Sequence, residues 1–356
     1  MSRTPLAQIL GTGRALPRHY YDQATLMAAF RQHWGTRHHN LDRLERLHTS
    51  VRVGGRHLAL PMETYPELRT FSAKNAAFIE VGVELGEDAV RRAMAEAALP
   101  LESIDLLMFT SVTGVATPSI DARLVERLGL RPDVKRIPIF GLGCVAGAAG
   151  IARTADYLVG HPGQIAVLLS VELCSLTLQH DDLSLQNIIA SGLFGDGAAA
   201  VVLGGPERPG PAAPKVVATR SVFYPRTERL MGWDVTDGGF KIVLSPEVPA
   251  LVEREIAQDV QRFLADQGLS TDQLQNYVCH PGGPKVLESI QRALKLDDRA
   301  LALTWKSLAE VGNLSSASVL FVLGDTMRGA RPSPGSLGLL LAMGPGFCSE
   351  LVLIEW

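Results

Sequence analysis

The sequence predicts an α/β fold built from two duplicated halves, and three observations carry that prediction. Short apolar runs rich in Val, Ile and Leu alternate with longer stretches of helical periodicity. Two segments share one plan: a short strand, a chemically able side chain, a helix, and later a Gly-rich turn into a closing apolar strand. Between them lies a Pro-rich stretch, Gly204 to Pro214 (GGPERPGPAAP), that reads as a surface linker. The division that follows is residues 1–210, carrying Cys144, and residues 211–356, carrying His280 and Asn313.

In chain order, helical periodicity first appears over 79–98, followed by the continuous apolar strand 106–110 (LLMFT) and a helix over 120–130. The strand 136–140 (RIPIF) rests on Ile137, Ile139 and Phe140, and Ala146, Ala148 and Ala149 favour a helix over 145–158. Strands at 165–170 (IAVLLS) and 198–203 (AAAVVL) complete the first half. The second half reads as a strand at 216–222, a helix over 248–267, a strand at 277–279 and helices over 285–294 and 316–328. Strands at 337–342 and 351–354 close it.

At 356 residues, 46% hydrophobic and 20% charged, the chain can bury a substantial core. A formal net charge of −3 gives no electrostatic footprint for nucleic acid or an anionic membrane, so small molecules or protein are the expected partners. Gly11, Gly13 and Pro17 interrupt the N-terminus before an apolar leader can develop. The most apolar tracts fall far short of the roughly 20 residues of a membrane span. A soluble, cytoplasmic protein is expected. The four cysteines, Cys144, Cys174, Cys279 and Cys348, are scattered and form no CxxC pair, which argues for reduced thiols and against a structural metal site.

Three segments offer chemistry. In IPIFGLGCVAGAAG, Cys144 stands between a strand and an Ala-rich helix, where unpaired backbone N–H groups and the helix dipole favour a thiolate. A packed cysteine at a helix–strand joint is the competing reading. In YVCHPGGPKVLESI, His280 ends a short strand at an abrupt Pro/Gly turn, and its place in the duplicated plan corresponds to that of Cys144. A structural hydrogen-bonder fits the same position. In VGNLSSASVLFVL, Asn313 precedes Ser315 and Ser316, which can cap a helix; Asn313 can be a cap itself or donate to a developing oxyanion.

Taken together, GLGC with its Ala/Gly-rich helix, ASGLFGDGAAAVV, HPGGPKVL, GNLSSASV and the closing GPG turn resemble the type III polyketide synthases, the chalcone synthase-like enzymes. The resemblance covers the chain from about residue 105 to the end and more weakly before it. It implies a thiolase-like, layered α-β-α-β-α fold working as a homodimer, with Cys144, His280 and Asn313 as the catalytic triad. Phe194 and Phe240 match the family's two gatekeeper phenylalanines, and Cys174 and Thr177 match positions of the cavity wall.

The expected substrates are acyl-CoA and malonyl-CoA, with no further cofactor and no metal, and an acyl carrier protein as a conceivable starter donor. SVTGVATPSIDARL and VELCSLTLQHDDLS are most similar to bacterial members that take long-chain fatty acyl starters to alkylpyrones or alkylresorcinols. Ala116, Thr117 and Ser119 are small enough to leave room for an aliphatic tail. Two departures stand out: Met343 takes an aromatic's place at the cavity floor, and the basic cluster for CoA phosphates is thinned to Arg52 and Arg56. Asp196 and Glu172 read as structural, and His38 and His39 as solvated. The alternatives are a ketoacyl-carrier-protein synthase of the third class, which usually shows HQAN where this chain has His280-Pro281-Gly282-Gly283, and a catalytically silent thiolase-fold partner.

Overall fold

The computed structural model describes residues 4–34, 41–208, 213–329 and 332–356. His38, His39 and the 210/211 division lie outside them. The first half contains β1 (Ala7–Ala15), β2 (His19–Asp22), α1 (Gln23–Trp34), α2 (Leu41–Ser50), β3 (Gly55–Leu58), α3 (Phe71–Glu96), β4 (Leu106–Ser111), α4 (Ile120–Leu128), β5 (Lys135–Phe140), α5 (Ala146–Gly160), β6 (Ile165–Leu173), α6 (Leu185–Leu193) and β7 (Asp196–Gly204). The second contains β8 (Lys215–Phe223), β9 (Met231–Thr236), β10 (Gly239–Leu244), α7 (Val248–Ala265), β11 (Leu274–Cys279), α8 (Pro284–Leu294), α9 (Ala302–Val311), α10 (Ser316–Arg328), β12 (Leu337–Gly344) and β13 (Cys348–Glu355).

Nine strands form one mixed sheet in the order β11-β12-β13-β8-β1-β7-β6-β4-β5. Its two halves join where β1 touches β8, at Ala7–Val216 and Gln8–Lys215. The duplication is legible in this order: β4-β6-β7-β1 repeats as β11-β12-β13-β8, and β5 alone has no counterpart. Helices α5 and α10 pack on each other and touch strands of both halves. Helices α3 and α4 cover the first half from outside, and α7 and α8 the second, giving five layers. The central layer binds the halves into one body, since a single apolar cluster draws on Ile9, Ile151 and Leu168 as well as Leu320, Leu340 and Val352.

Close approach of α5 to α10 has a specific cause. A Cβ on Gly147 would sit 2.3 Å from the Ser316 carbonyl oxygen and 2.6 Å from Val319 Cγ1, so only glycine permits this crossing.

The layering corrects one expectation. The helix after Cys144, α5, is central, whereas the helix after His280, α8, is peripheral. The counterpart of Cys144 in the repeat is therefore the turn that carries Asn313 and opens into α10; His280 corresponds to the end of β4. Among the described residues no helix is long and apolar enough to cross a membrane.

Candidate active site

Cys144 lies on a one-turn 3-10 helix, Gly143–Val145, that runs directly into α5. Gly143 takes φ +57 there, and a Cβ on it would meet Pro345 Cδ at 2.6 Å, so the thiol turn packs against the closing β12–β13 turn. The placement at a helix start agrees with the sequence reading, yet burial dominates the electrostatics. The thiol is 7% exposed, and its pKa is pushed up to about 12 by burial; the bond to Ser315 pulls the other way, and the Glu172 charge adds to the rise. Burial therefore favours the neutral thiol over a standing thiolate.

His280 follows β11 and is held by its backbone N–H on the Leu341 carbonyl at 2.8 Å. Its buried ring nitrogens have no hydrogen-bond partner among the described residues, and burial lowers its pKa to about 3. Asn313 is fixed through both ends of its amide: Oδ1 accepts from Ser315 N at 2.8 Å, and Nδ2 donates to the Gly282 carbonyl at 3.2 Å. One N–H of the carboxamide is left for a ligand.

Ser315 completes the set. It was expected as a helix cap, but its side chain makes no cap bond; at φ 49 and ψ −127 it points its hydroxyl at Cys144, whose Sγ lies 3.6 Å away. A non-glycine residue in that region carries strain of about 1–3 kcal/mol, maintained here by the surrounding packing. Cys144, Ser315, Asn313, Gly282 and His280 thus form one connected string, the last link being Gly282 N on the His280 carbonyl at 2.9 Å.

Glu172 and Asp196 are anchors, as read. Fully buried Glu172 accepts from Val112 N, Thr113 Oγ1 and Ser316 Oγ, tying the end of β4 to the start of α10. Asp196 accepts from Ala59 N and from the backbone N–H and hydroxyl of Ser175; burial raises its pKa to about 6.

Beside this string lies an apolar cavity of about 130 Å³, bordered by Phe30, Arg56, Tyr65, Cys174, Thr177 and Phe194. Cys174 and Cys144 are near enough that a charge on one disfavours a charge on the other. Phe240 closes a neighbouring aromatic group, edge-on to Phe71 at 5.2 Å and tilted against Phe140 and Trp233. Trp233 and Ile242, which the sequence reading passed over, also line the cavity.

Four other expected residues lie in different settings. Met343 lies on the face of β12 that joins Leu341 and Phe347 in the core of the second half and is not among the residues bordering this cavity. Thr117 borders a separate open groove of about 610 Å³ beside β5, with Ala116, Ser119 and Phe140. Arg52 is exposed, paired with Glu288 at 2.8 Å and stacked over Trp305. Arg56 is 3% exposed and bonded to the Phe194 carbonyl, so it is no free surface cation for a CoA phosphate. Its burial comes from long-range packing that no local signal announces.

Hydrogen bonds thus bring Cys144, Asn313 and the backbone of His280 together where two duplicated α/β halves join, in the layered arrangement of the thiolase-like class. Family models for the chalcone and stilbene synthases match the chain at residues 2–207 (N-terminal domain) and 215–355 (C-terminal domain). The chain belongs to that family, the type III polyketide synthases, acyltransferases that condense malonyl-CoA with loss of its carboxylate. It is 53% identical to a 1,3,6,8-tetrahydroxynaphthalene synthase of Streptomyces peucetius subsp. caesius, covering 96% of this chain and 91% of the relative. It is 30% identical to an alpha-pyrone synthesis polyketide synthase-like protein, Pks18, of Mycobacterium tuberculosis, covering 88% and 82%. The crystal structure of the tetrahydroxynaphthalene synthase of Streptomyces coelicolor A3(2) superposes with a TM-score of 0.93 at 30% identity, covering 98% and 99% of the two chains.

Proposed function

We propose that the protein primes Cys144 with an acyl group from a CoA thioester, extends it with malonyl-CoA and cyclises the product, with Cys144, His280 and Asn313 as the reacting set. The observation that carries this reading is the connected string from Cys144 to His280. As Sγ attacks the thioester carbonyl, its proton passes to the neutral His280 ring, and the developing oxyanion is met by N–H donors of His280 and Asn313. CoA leaves as the thiol, taking the proton back. Malonyl-CoA then loses its carboxylate as CO2; the electron pair moves into the thioester to give an enolate, stabilised by the same donors. The enolate carbon attacks the Cys144 acyl carbon and releases the thiolate. Neutral donors in a water-poor site suffice for the charge that develops, so CoA thioesters are proposed as the sole small-molecule reactants.

For the product, the 53% identity with a tetrahydroxynaphthalene synthase over nearly the whole chain favours malonyl-CoA as both starter and extender, folded to a polyhydroxylated naphthalene. The limited cavity beside Phe194 is compatible with that choice. The long-chain starter and alkylpyrone or alkylresorcinol product are the second reading, favoured by the 30% identity with an alpha-pyrone synthesis polyketide synthase-like protein over 88% of this chain. The working unit is proposed as a homodimer formed through the open edge of β5, where Ile137 and Phe140 are exposed. Four unpaired thiols support a reducing, cytoplasmic setting.

Mass spectrometry of products after incubation with malonyl-CoA alone, and with acyl-CoA starters from acetyl to long-chain, separates the readings. An aromatic product from malonyl-CoA alone supports the first; pyrones or resorcinols appearing only with long starters support the second. If Cys144 becomes acylated but nothing is extended with CoA thioesters, delivery by a carrier protein takes their place.

A further inference from the structure

We propose that Arg56 is a positioning residue of the condensation: from β3 it holds the Phe194 segment against the Asn313 turn, and so sets the carboxamide that meets the enolate. This rests on the role given to Asn313 above.

Nη1 of Arg56 donates to the Phe194 carbonyl at 2.8 Å. Phe194 is paired with Asn313 in a parallel bridge: Asn313 N donates to the Leu193 carbonyl at 2.9 Å and Gly195 N to the Asn313 carbonyl at 3.0 Å. The guanidinium is therefore one backbone bridge away from the carboxamide. The stem of Arg56 packs on the other side of the same turn, where a Cβ on Gly312 would come to 3.3 Å from Cγ and Cδ and to 2.6 Å from the Leu193 carbonyl oxygen. The chain on either side of Arg56 grips the same two segments, Gly54 N on the Ala309 carbonyl at 2.8 Å and Ala59 N on Asp196 Oδ2 at 2.6 Å.

A buried guanidinium is costly, and Nε and Nη2 of Arg56 have no partner among the described residues. Asp196, Tyr65 and Cys174 offset that cost electrostatically without closing an ion pair, while buried His48 opposes it less by staying neutral. A stem-only residue would fill the same volume without the desolvation, so what the guanidinium adds is the bond on the Phe194 carbonyl and the geometry it imposes.

The test uses Arg56→Met, which keeps the stem and removes the donor, and Arg56→Lys, which keeps the charge with a single-point donor. Malonyl-CoA decarboxylation is measured per folded molecule, the folded fraction being taken from near-UV circular dichroism. Arg56→Met should lower kcat roughly 20-fold and Arg56→Lys roughly 5-fold, with KM for malonyl-CoA within about twofold of the parent, since misplacement by a fraction of an ångström acts on the transition state. In a double-mutant cycle, Asn313→Ala should cost much less in the Arg56→Met background than in the parent. Parental kcat in either folded variant, or additive effects in the cycle, overturns the proposal. If Arg56→Met does not fold, Arg56→Lys decides by the same criteria. Should Asn313→Ala alone leave decarboxylation intact, the failure belongs to the role of Asn313 and not to Arg56.

Discussion

The two halves repeat one plan and part company at a single strand. In the first, β4 leads through α4 to β5, and β5 delivers Cys144 to the start of α5; in the second, β11 leads through α8 and α9 to Asn313 and α10, with no strand in between. Where the first half sets an edge strand, the second sets a loop that bridges Phe194 of the first. Equivalent turns thus supply unlike groups, a thiol from one and a carboxamide from the other. The third equivalence is just as uneven. His280, beyond β11, leaves its ring nitrogens without a partner among the described residues, while the residues at the end of β4 are bonded to Glu172 and to Leu173 N. Duplication provides two converging helix starts, and on the function proposed above divergence at their caps divides the chemistry between them.

The comparison breaks first at its two caps. Cys144→Ala should lower acyl loading and condensation by at least about a thousandfold yet leave malonyl-CoA decarboxylation partly intact. The check is intact-protein mass for the acyl enzyme beside a CO2 release assay. Equal loss of both activities would show that the halves are not divided in this way.

Next in size is the crossing that joins the halves. Gly147→Ala places a methyl group against the Ser316 carbonyl and should cost about 3 kcal/mol of stability, read as a fall in the urea midpoint. A parental midpoint would mean that α5 and α10 can separate freely.

The smallest effect concerns buried histidines. Burial holds the pKa of His48 at about 4 and that of His280 at about 3, while the unfolded chain protonates both near 6.5. Below 6.5 the unfolded state binds more protons, so each costs roughly 1.4 kcal/mol of stability per pH unit as the pH falls. Asp196 works in the opposite sense between 3.8 and about 6, because its buried carboxyl binds a proton before the unfolded chain does. Two histidines against one carboxyl leave a net loss of roughly one proton's worth per pH unit as the pH falls from about 6 to 5. His48→Gln should flatten it by one proton's worth, measured as unfolding free energy across pH 5 to 7; an unchanged slope would mean that His48 is not held neutral by the fold.

Much of this was legible in sequence where a segment's own residues decide its state. The central strands β6 and β7 are buried along their whole length, and their apolar runs announce it. β1 escaped because Gln8, Gly11, Thr12, Gly13 and Arg14 break its pattern; its glycines answer to α3, where a Cβ on Gly13 would stand 2.1 Å from the Ala89 carbonyl oxygen. α9 escaped because buried Thr304 and Ser307 mask its apolar stripe. In the site, Cys144, His280 and Asn313 stand out beside Gly and Pro turns. Ser315 gains its partner only through folding, and Arg56 reads as a surface cation until segments more than a hundred residues away enclose it.

The burial that raises the pKa of Cys144 also bears on how the thiol meets oxidants. Oxidation to sulfenic acid and reaction with stray electrophiles both proceed through the thiolate. Burial, which raises the pKa of Cys144, opposes that ionisation and so disfavours attack of the resting sulfur on peroxide and on reactive ketones.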